Sequence, residues 1–291
     1  SNGDYQIAVA QNVNLIDQKL AARIVVDKRY NKGYVDNITL NRDDWDRDEL
    51  TTIRTKFLFD ASDDLQLKFS YTQADKFFGS ESLYIRGGES MLDLSKRETM
   101  QNDLHQTVQD EQIAVFNIDY HFNQQWSFDA ITTYSKVESD RVVDPDYSEL
   151  TSFASGHNHD SKYAFSQELK AHFSNDWLTS VFALYHSNIH SSSFNSRSSL
   201  IEYSFGGTTI PLLLQYKMNG NLSNKNLAFY TSNDVTLNDA WSLNLGLRID
   251  RETVTNYSKT DANRLNNLGP YNDFIDGLVA DATSPGQGDE T

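Results

Sequence analysis

The stretch Trp241-Ser242-Leu243-Asn244-Leu245-Gly246-Leu247-Arg248-Ile249-Asp250 decides the fold. Its odd positions from Trp241 to Ile249 are apolar, and its even positions are polar, charged or glycine. Only an extended strand turns a period of two into one apolar and one polar face. Residues 65–72 repeat the pattern, with Leu65, Leu67, Phe69 and Tyr71 alternating with Gln66, Lys68, Ser70 and Thr72. Looser versions cover residues 5–15, 20–26, 51–59, 114–122, 126–134, 165–173, 177–185 and 227–237, which makes about ten strands in all.

Five short polar turns join these segments in pairs: Ile16-Asp17-Gln18-Lys19 before Leu20, Ser62-Asp63-Asp64 before Leu65, Asn123-Gln124-Gln125 before Trp126, Ser174-Asn175-Asp176 before Trp177, and Asn238-Asp239-Ala240 before Trp241. Asp, Asn and Ser bond their own backbone and tolerate turn conformations, and strands joined so tightly must be antiparallel. The remaining connections are long polar stretches at residues 31–48, 74–110, 138–161 and 187–225, plus the tail after Val254. Short and long connections alternate strictly. Unstructured loops above about 12 to 15 residues count against a compact soluble domain. Short periplasmic turns and long extracellular loops are the rule in an outer-membrane barrel.

Charge and ring placement support the barrel. Arg23, Arg54, Lys56, Asp119, Asp129, Glu168, Lys170, Asp234 and Arg248 fall on the polar face, which would line the lumen. A Lys or Arg at the lipid-facing midplane costs about 2 to 4 kcal/mol, enough to enforce such segregation. Trp126, Trp177 and Trp241 follow short turns, and Phe59, Phe122 and Phe173 precede them. This reads as one aromatic girdle, with Tyr71, Tyr134 and Tyr185 as candidates for the other. A soluble antiparallel sheet shows the same alternation, but the turn asymmetry and turn-adjacent rings favour the membrane.

Composition excludes other classes. Only 38% of the 291 residues are hydrophobic and mean hydropathy is -0.59. No run approaches the roughly 18 to 20 apolar residues a spanning helix needs, whereas a spanning strand needs about 9 to 11. A net charge of -16 argues against a nucleic-acid partner, and the lack of cysteine removes disulfides and thiolate metal sites. Ser1-Asn2-Gly3-Asp4 has no signal-peptide character, so an exported form would be mature or truncated. The expected fold is all-β: an antiparallel transmembrane β-barrel segment over residues 1–254, followed by an extracellular loop or disordered truncated tail at 255–291.

Gly3-Asp4-Tyr5, residues 8–24 with their Leu15-Ile16-Asp17-Gln18-Lys19-Leu20-Ala21 turn, and Lys32-Gly33-Tyr34-Val35-Asp36-Asn37 resemble the first barrel hairpin of TonB-dependent receptors. Leu243-Asn244-Leu245-Gly246-Leu247-Arg248 is similar to a recurring upstrand of that family, and Phe165-Ser166-Gln167-Glu168-Leu169 to another barrel segment. The resemblance implies a bacterial outer-membrane receptor with a plug inside its barrel. Such a receptor takes up an iron chelate, cobalamin or a carbohydrate and contacts a TonB-type energy-coupling protein through the plug. The chain departs from that pattern: it carries no plug, no coupling motif, fewer than the about 22 strands of such transporters, and no C-terminal aromatic residue. It therefore reads as part of a receptor.

Candidate chemistry is sparse. Residues 41–48, Asn41-Arg42-Asp43-Asp44-Trp45-Asp46-Arg47-Asp48, gather carboxylates without the spacing of a calcium loop, and a solvated loop is the simpler reading. His157 and His159 with Asp160, and His186 with His190, offer imidazoles at close spacing, though polar loop histidines are commonplace. Gly206-Gly207 reads as a turn. Trp45, Phe77, Phe78, Tyr84, Phe153 and Phe205 could stack on a ligand. No nucleophile or phosphate-loop motif occurs. The expectation is a non-enzyme with no catalytic, cofactor or metal residues and an unassigned ligand site. It would contact outer-membrane lipid and take up a scarce ligand such as an iron-siderophore complex. The alternatives are a soluble or surface-attached carbohydrate-binding sheet, or a non-specific porin.

Overall fold

A computed structural model describes residues 3–80, 97–145, 147–149, 153–205, 207–281 and 285–290. The elements are β1 Tyr5–Ile16, β2 Leu20–Asn31, β3 Asp36–Asn37, β4 Asp48–Ser62, β5 Leu65–Phe78, β6 Glu98–Thr99, β7 Gln106–His121, β8 Trp126–Val143, β9 Phe153–Ser174, β10 Leu178–Phe205, β11 Thr208–Asn238, β12 Trp241–Arg264, a 3-10 turn Gly269–Tyr271, helix α1 Asn272–Asp281, and β13 Pro285–Glu290. Ten long strands pair with their sequence neighbours, all antiparallel, and β13 adds a short eleventh along β12. Among the described residues no helix is long and apolar enough to cross a membrane, so crossing falls to the strands.

All five short turns stand where the sequence places them. Three use one device: Asn123, Asn175 and Asn238 each accept two backbone N–H bonds through Oδ1, from Gln125 and Trp126, Trp177 and Leu178, and Ala240 and Trp241. A side-chain carbonyl substitutes for a backbone acceptor and closes the hairpin in very few residues.

The register assigns every side chain to a face. One row of directly opposed residues runs Leu20, Phe59, Leu67, Ile118, Ala130, Leu169, Leu184, Phe229 and Ile249. This face is apolar and exposed, as a lipid-facing surface must be. Three of its polar exceptions satisfy one another: Ser180 donates to Asn233 Oδ1 at 2.7 Å, and Asn233 donates to Thr231 Oγ1 at 3.1 Å. In hydrocarbon no water would do it for them. Near the turns the face carries Phe59, Tyr120, Trp126, Phe173 and Trp241, with Trp126 and Phe173 rings 4.9 Å apart. Towards the other ends it carries Tyr71, Tyr134 and a stacked Tyr5–Tyr30 pair at 5.4 Å.

Two ring placements differ from expectation. Tyr185 opposes Glu168 and Ala228 and so lies on the polar face. Trp177 lies in the turn, one residue before β10. Residues 181–185 are Val-Phe-Ala-Leu-Tyr, apolar at every position. Alternation therefore carried no information there, and only pairing fixes which residues face which way.

Strands also run further than alternation indicates. Residues 187–205 and 208–225 fold as a continuation of β10 and β11, which stay in register from Leu178 and Val235 out to Phe205 and Thr208. The run Ser191-Ser192-Ser193 and its surroundings are polar on both faces, and beyond the lipid nothing requires alternation. Within the segment 255–291, residues 255–264 continue β12, and α1 then packs back on the polar-face side. Ile275 is buried against Leu212 and Leu214, and Arg264 holds Asp276 through Nε and Nη2 at 2.9 and 2.8 Å.

Candidate lumen face and loop site

The face opposite the lipid surface carries all nine charged residues singled out in the sequence. Its central row opposes Asp129, Lys170, Ala183, Tyr230 and Arg248. Lys170 Nζ bonds Glu168 at 2.6 Å, Tyr230 donates to Glu168 at 2.6 Å, and Arg248 lies 5.5 Å over the Tyr230 ring while gripping Asp250 with two 2.8 Å bonds. The Tyr230–Glu168 bond crosses β10, and it can do so because buried Ala183 offers only a methyl group in between. His172 meets Asp129 at 2.7 Å, Lys68 meets Asp119 at 2.8 Å, and Lys76 meets Glu111 at 2.5 Å. Half-exposed pairs of this kind contribute about 0 to 1 kcal/mol each; their main effect is to keep the face wettable.

On β2 and β4 the balance changes. Arg23 donates only to Asn12, at 3.3 Å, and Arg54 and Lys56 have no ion-pair partner among the described residues. Arg23, Lys56, Lys68, Asn12, Asn14 and Asn117 line an open hollow of about 460 Å³. The lumen face is thus charge-paired across β8–β12 and cationic across β2–β5.

Above the sheet, three connections fold together. Gly33, in a left-handed conformation (φ 83°), turns the chain so that Asp46 Oδ1 accepts from Tyr34 N and Val35 N at 2.8 and 2.7 Å. β3 and β6 pair in parallel. At the centre Trp45 is 2% exposed and donates its indole N–H to Gln101 Oε1 at 2.6 Å, while Asn37 Nδ2 donates to the Gln101 carbonyl at 3.0 Å. Gly79 packs so close to the Trp45 carbonyl that a Cβ would collide with it. Asn102 ties in the third connection through Ser148 O and Glu149 O.

This arrangement reassigns the acidic loop. Asp44 sits between Arg42 and Arg47 at 2.9 and 3.1 Å, Asp43 is paired with Lys32 at 2.5 Å, and Asp46 is committed to backbone N–H groups. The hydrogen bond from Arg42 holds the Asp44 carboxyl below its ordinary value. These carboxylates stabilise the cap and are not a free cluster awaiting a cation. His157 and His159 do share a face, both near Asp140 at 3.4 and 2.8 Å. His190 packs on Tyr163 at 5.2 Å. No group of three or more ligand-type side chains is arranged for a metal among the described residues. Trp45 is buried, and Phe77 is half-buried with one ring face under the Arg47 guanidinium at 4.3 Å. Tyr84 lies outside the described residues, as do the side chains of Phe153 and Phe205.

Sequence reasoning missed Gln101 and Asn37 as the polar centre of the cap, because a lone amide in a polar stretch carries no periodic signal. It also missed His105, which bonds Gln101 at 3.4 Å and packs on Tyr147. Burial, and then the Arg141 charge, push the His105 imidazole below its usual value of 6.5. A lowered histidine binds fewer protons folded than unfolded, so its contribution is complete above pH 6.5 and erodes as pH falls through the lowered value. Amide protection factors at residues 97–105, 144–145 and 147–149, which are corrected for the intrinsic slowing of exchange in acid, should therefore fall between pH 7 and pH 5. His105→Gln should flatten that change; an equal loss of protection in both proteins would remove His105 as the cause.

A two-faced antiparallel sheet with an apolar outer surface and a polar, charged inner one defines the wall of a transmembrane β-barrel. Residues 95–286 match the family model described as TonB dependent receptor-like, beta-barrel, and the chain belongs to that family. No curated protein matches it in sequence. It is similar in fold to the ferric yersiniabactin uptake receptor of Yersinia pestis, with TM-score 0.72 at 13% identity over 100% of this chain and 41% of that one. It is also similar to the ferripyoverdine receptor of the Pseudomonas aeruginosa outer membrane, with TM-score 0.52 at 12% identity over 90% of this chain and 40% of that one. The chain thus spans about two fifths of the length of these receptors.

Proposed function

We propose that this chain is part of the wall of a bacterial outer-membrane receptor that takes up an iron chelate by energy-coupled transport. The observation that carries the reading is the continuity of the inner face: a wettable, charged surface that rises from the short turns into a folded loop cap. Such a path suits a polar cargo. Residues 1–254 would form the wall and residues 255–291 its outer rim, with lipid against the apolar face. Both edges of the sheet need partners in a membrane, and we assign these to strands outside this chain. A plug, also outside it, would contact the TonB-type coupling protein. Nothing in the geometry favours catalysis or a soluble sugar-binding sheet.

Uptake of labelled ferric chelates by cells carrying the intact receptor tests this. Saturable uptake that stops when the coupling protein is deleted is expected. Uptake of cobalamin or an oligosaccharide instead would replace the cargo, and coupling-independent passage of any small solute would make the protein a porin.

A further inference from the structure

The outer face changes character at a definite height. At about 3.3 Å per residue and a tilt of about 35 to 45°, some ten residues climb the roughly 25 Å apolar band of an outer-membrane barrel. On β1, β2, β8 and β9 this level is marked by rings: Tyr5, Tyr30, Tyr134 and Phe165. On β10–β12 it is marked by cations. Arg251 stands about ten residues beyond the β11–β12 turn and Lys225 about thirteen before it, both outward and exposed. His186 opposes Leu227, itself opposite Arg251; Asn188 opposes Lys225; and His190 opposes Ser223. The surrounding outward positions on β11 and β12 are Leu227, Ser223, Thr253 and Thr255, with no acid among them, and the register sets Asp289 of β13 beside Thr255. Neither Arg251 nor Lys225 has an ion-pair or hydrogen-bond partner among the described side chains. Just beyond the ring on β8, the outward positions of β5, β7 and β8 are acidic, with Asp75, Asp110 and Glu138 directly opposed and Lys136 paired to Glu138 at 2.8 Å. Lys28 on β2 is a further outward cation, flanked by Ile7 and Thr51; on β10–β12 two unpaired cations stand together with two histidines.

We propose that Arg251 and Lys225, with His186 and His190 beside them, form a seat for the phosphorylated headgroup of an outer-leaflet lipid. Guanidinium grips phosphate through two parallel hydrogen bonds, and basic clusters at a membrane surface attract anionic headgroups. The acyl chains of the same lipid would lie along Leu227, Phe229, Leu247 and Ile249 directly below. A free phosphate would gain the cations but not that apolar surface.

The test uses the intact receptor in detergent, titrated with lipid A and with chemically dephosphorylated lipid A, and reads bound lipid together with the shift of the thermal midpoint. Phosphorylated lipid A should bind at least tenfold more tightly. Each cation contributes about fivefold, so a Lys225→Gln, Arg251→Gln double variant should weaken binding about 20- to 30-fold. Lys19→Gln, at the opposite end of the barrel, should leave it unchanged. Equal affinity of the unaltered receptor for the two lipids overturns the seat without requiring any variant to fold. So does a folded double variant that binds as tightly as the original. Complete competition by millimolar inorganic phosphate would show a phosphate site and not a lipid seat. Ligand uptake plays no part in the measurement, so its outcome is separate from that of the transport reading.

Discussion

Leu245→Arg, introduced into the receptor that carries this chain, is expected to cut the yield of folded, membrane-inserted protein severalfold, while Asn244→Arg leaves it close to the original. The two positions are adjacent, so the contrast isolates the face. Leu245 is 52% exposed on the outer surface near the middle of the apolar band, where a guanidinium costs about 2 to 4 kcal/mol. Asn244 points inward and donates to Asp234 at 2.5 Å; an arginine there meets the same carboxylate. Heat-modified gel migration and protease protection of outer-membrane fractions report assembly. Equal loss at both positions, or at neither, would mean that the faces are reversed or that the apolar side does not meet lipid.

The second large effect is expected at Trp45. Truncating a buried tryptophan costs about 3 to 5 kcal/mol, and here it also strands the side-chain carbonyl of Gln101. A cap of three loop connections has little other core: Val35 is the remaining buried apolar side chain beside it among the described residues. Trp45→Ala should therefore release residues 32–47 and 97–105 to proteolysis and fast amide exchange while the barrel's own unfolding temperature stays within a few degrees. Trp45→Phe keeps the ring but loses the N–H, and should fall between. A Trp45→Ala protein whose loops remain protected would show that the cap is held by its edges, through the Asp44 and Asp46 bonds, and not by its centre.

The two expectations differ in how much of them the sequence alone could supply. Leu245 and Asn244 belong to a segment whose alternation is nearly perfect, and lipid on one side with water on the other is what maintains such a pattern. The turns were equally legible, since each needs an Asn, Asp or Ser at a fixed offset and those residues stand there. Legibility ended where the constraint ended. Val181 to Tyr185 are apolar on both faces because the inner face there accommodates Ala183 beneath a tyrosine bridge, so Tyr185 was placed on the wrong side. The serine-rich extension of β10 has water on both sides and reads as loop although it is paired throughout. The Trp45–Gln101 centre depends on contacts about 56 residues apart, which no local pattern encodes. The cationic sector at Lys225 and Arg251 became visible only once the register had set heights as well as faces.

The row that runs from Leu20 to Ile249 has one more implication. It starts at the first residue of β2, beside a turn, and reaches β12 about eight residues above the next such turn. The hydrogen-bonded rows therefore climb by close to one residue for each strand crossed on average, with the steps falling at the loop-joined pairs β2–β4, β5–β7, β8–β9 and β10–β11, and that slope is a property of the pairing. In a closed cylinder the accumulated climb must equal a whole-number offset at the seam, and this offset, the strand count and the diameter are mutually fixed. The missing arc is not free to take any pitch. Grafting this segment onto the complement of a relative with the same number of strands but a different slope would leave the last pair out of step, and the cylinder unsealed.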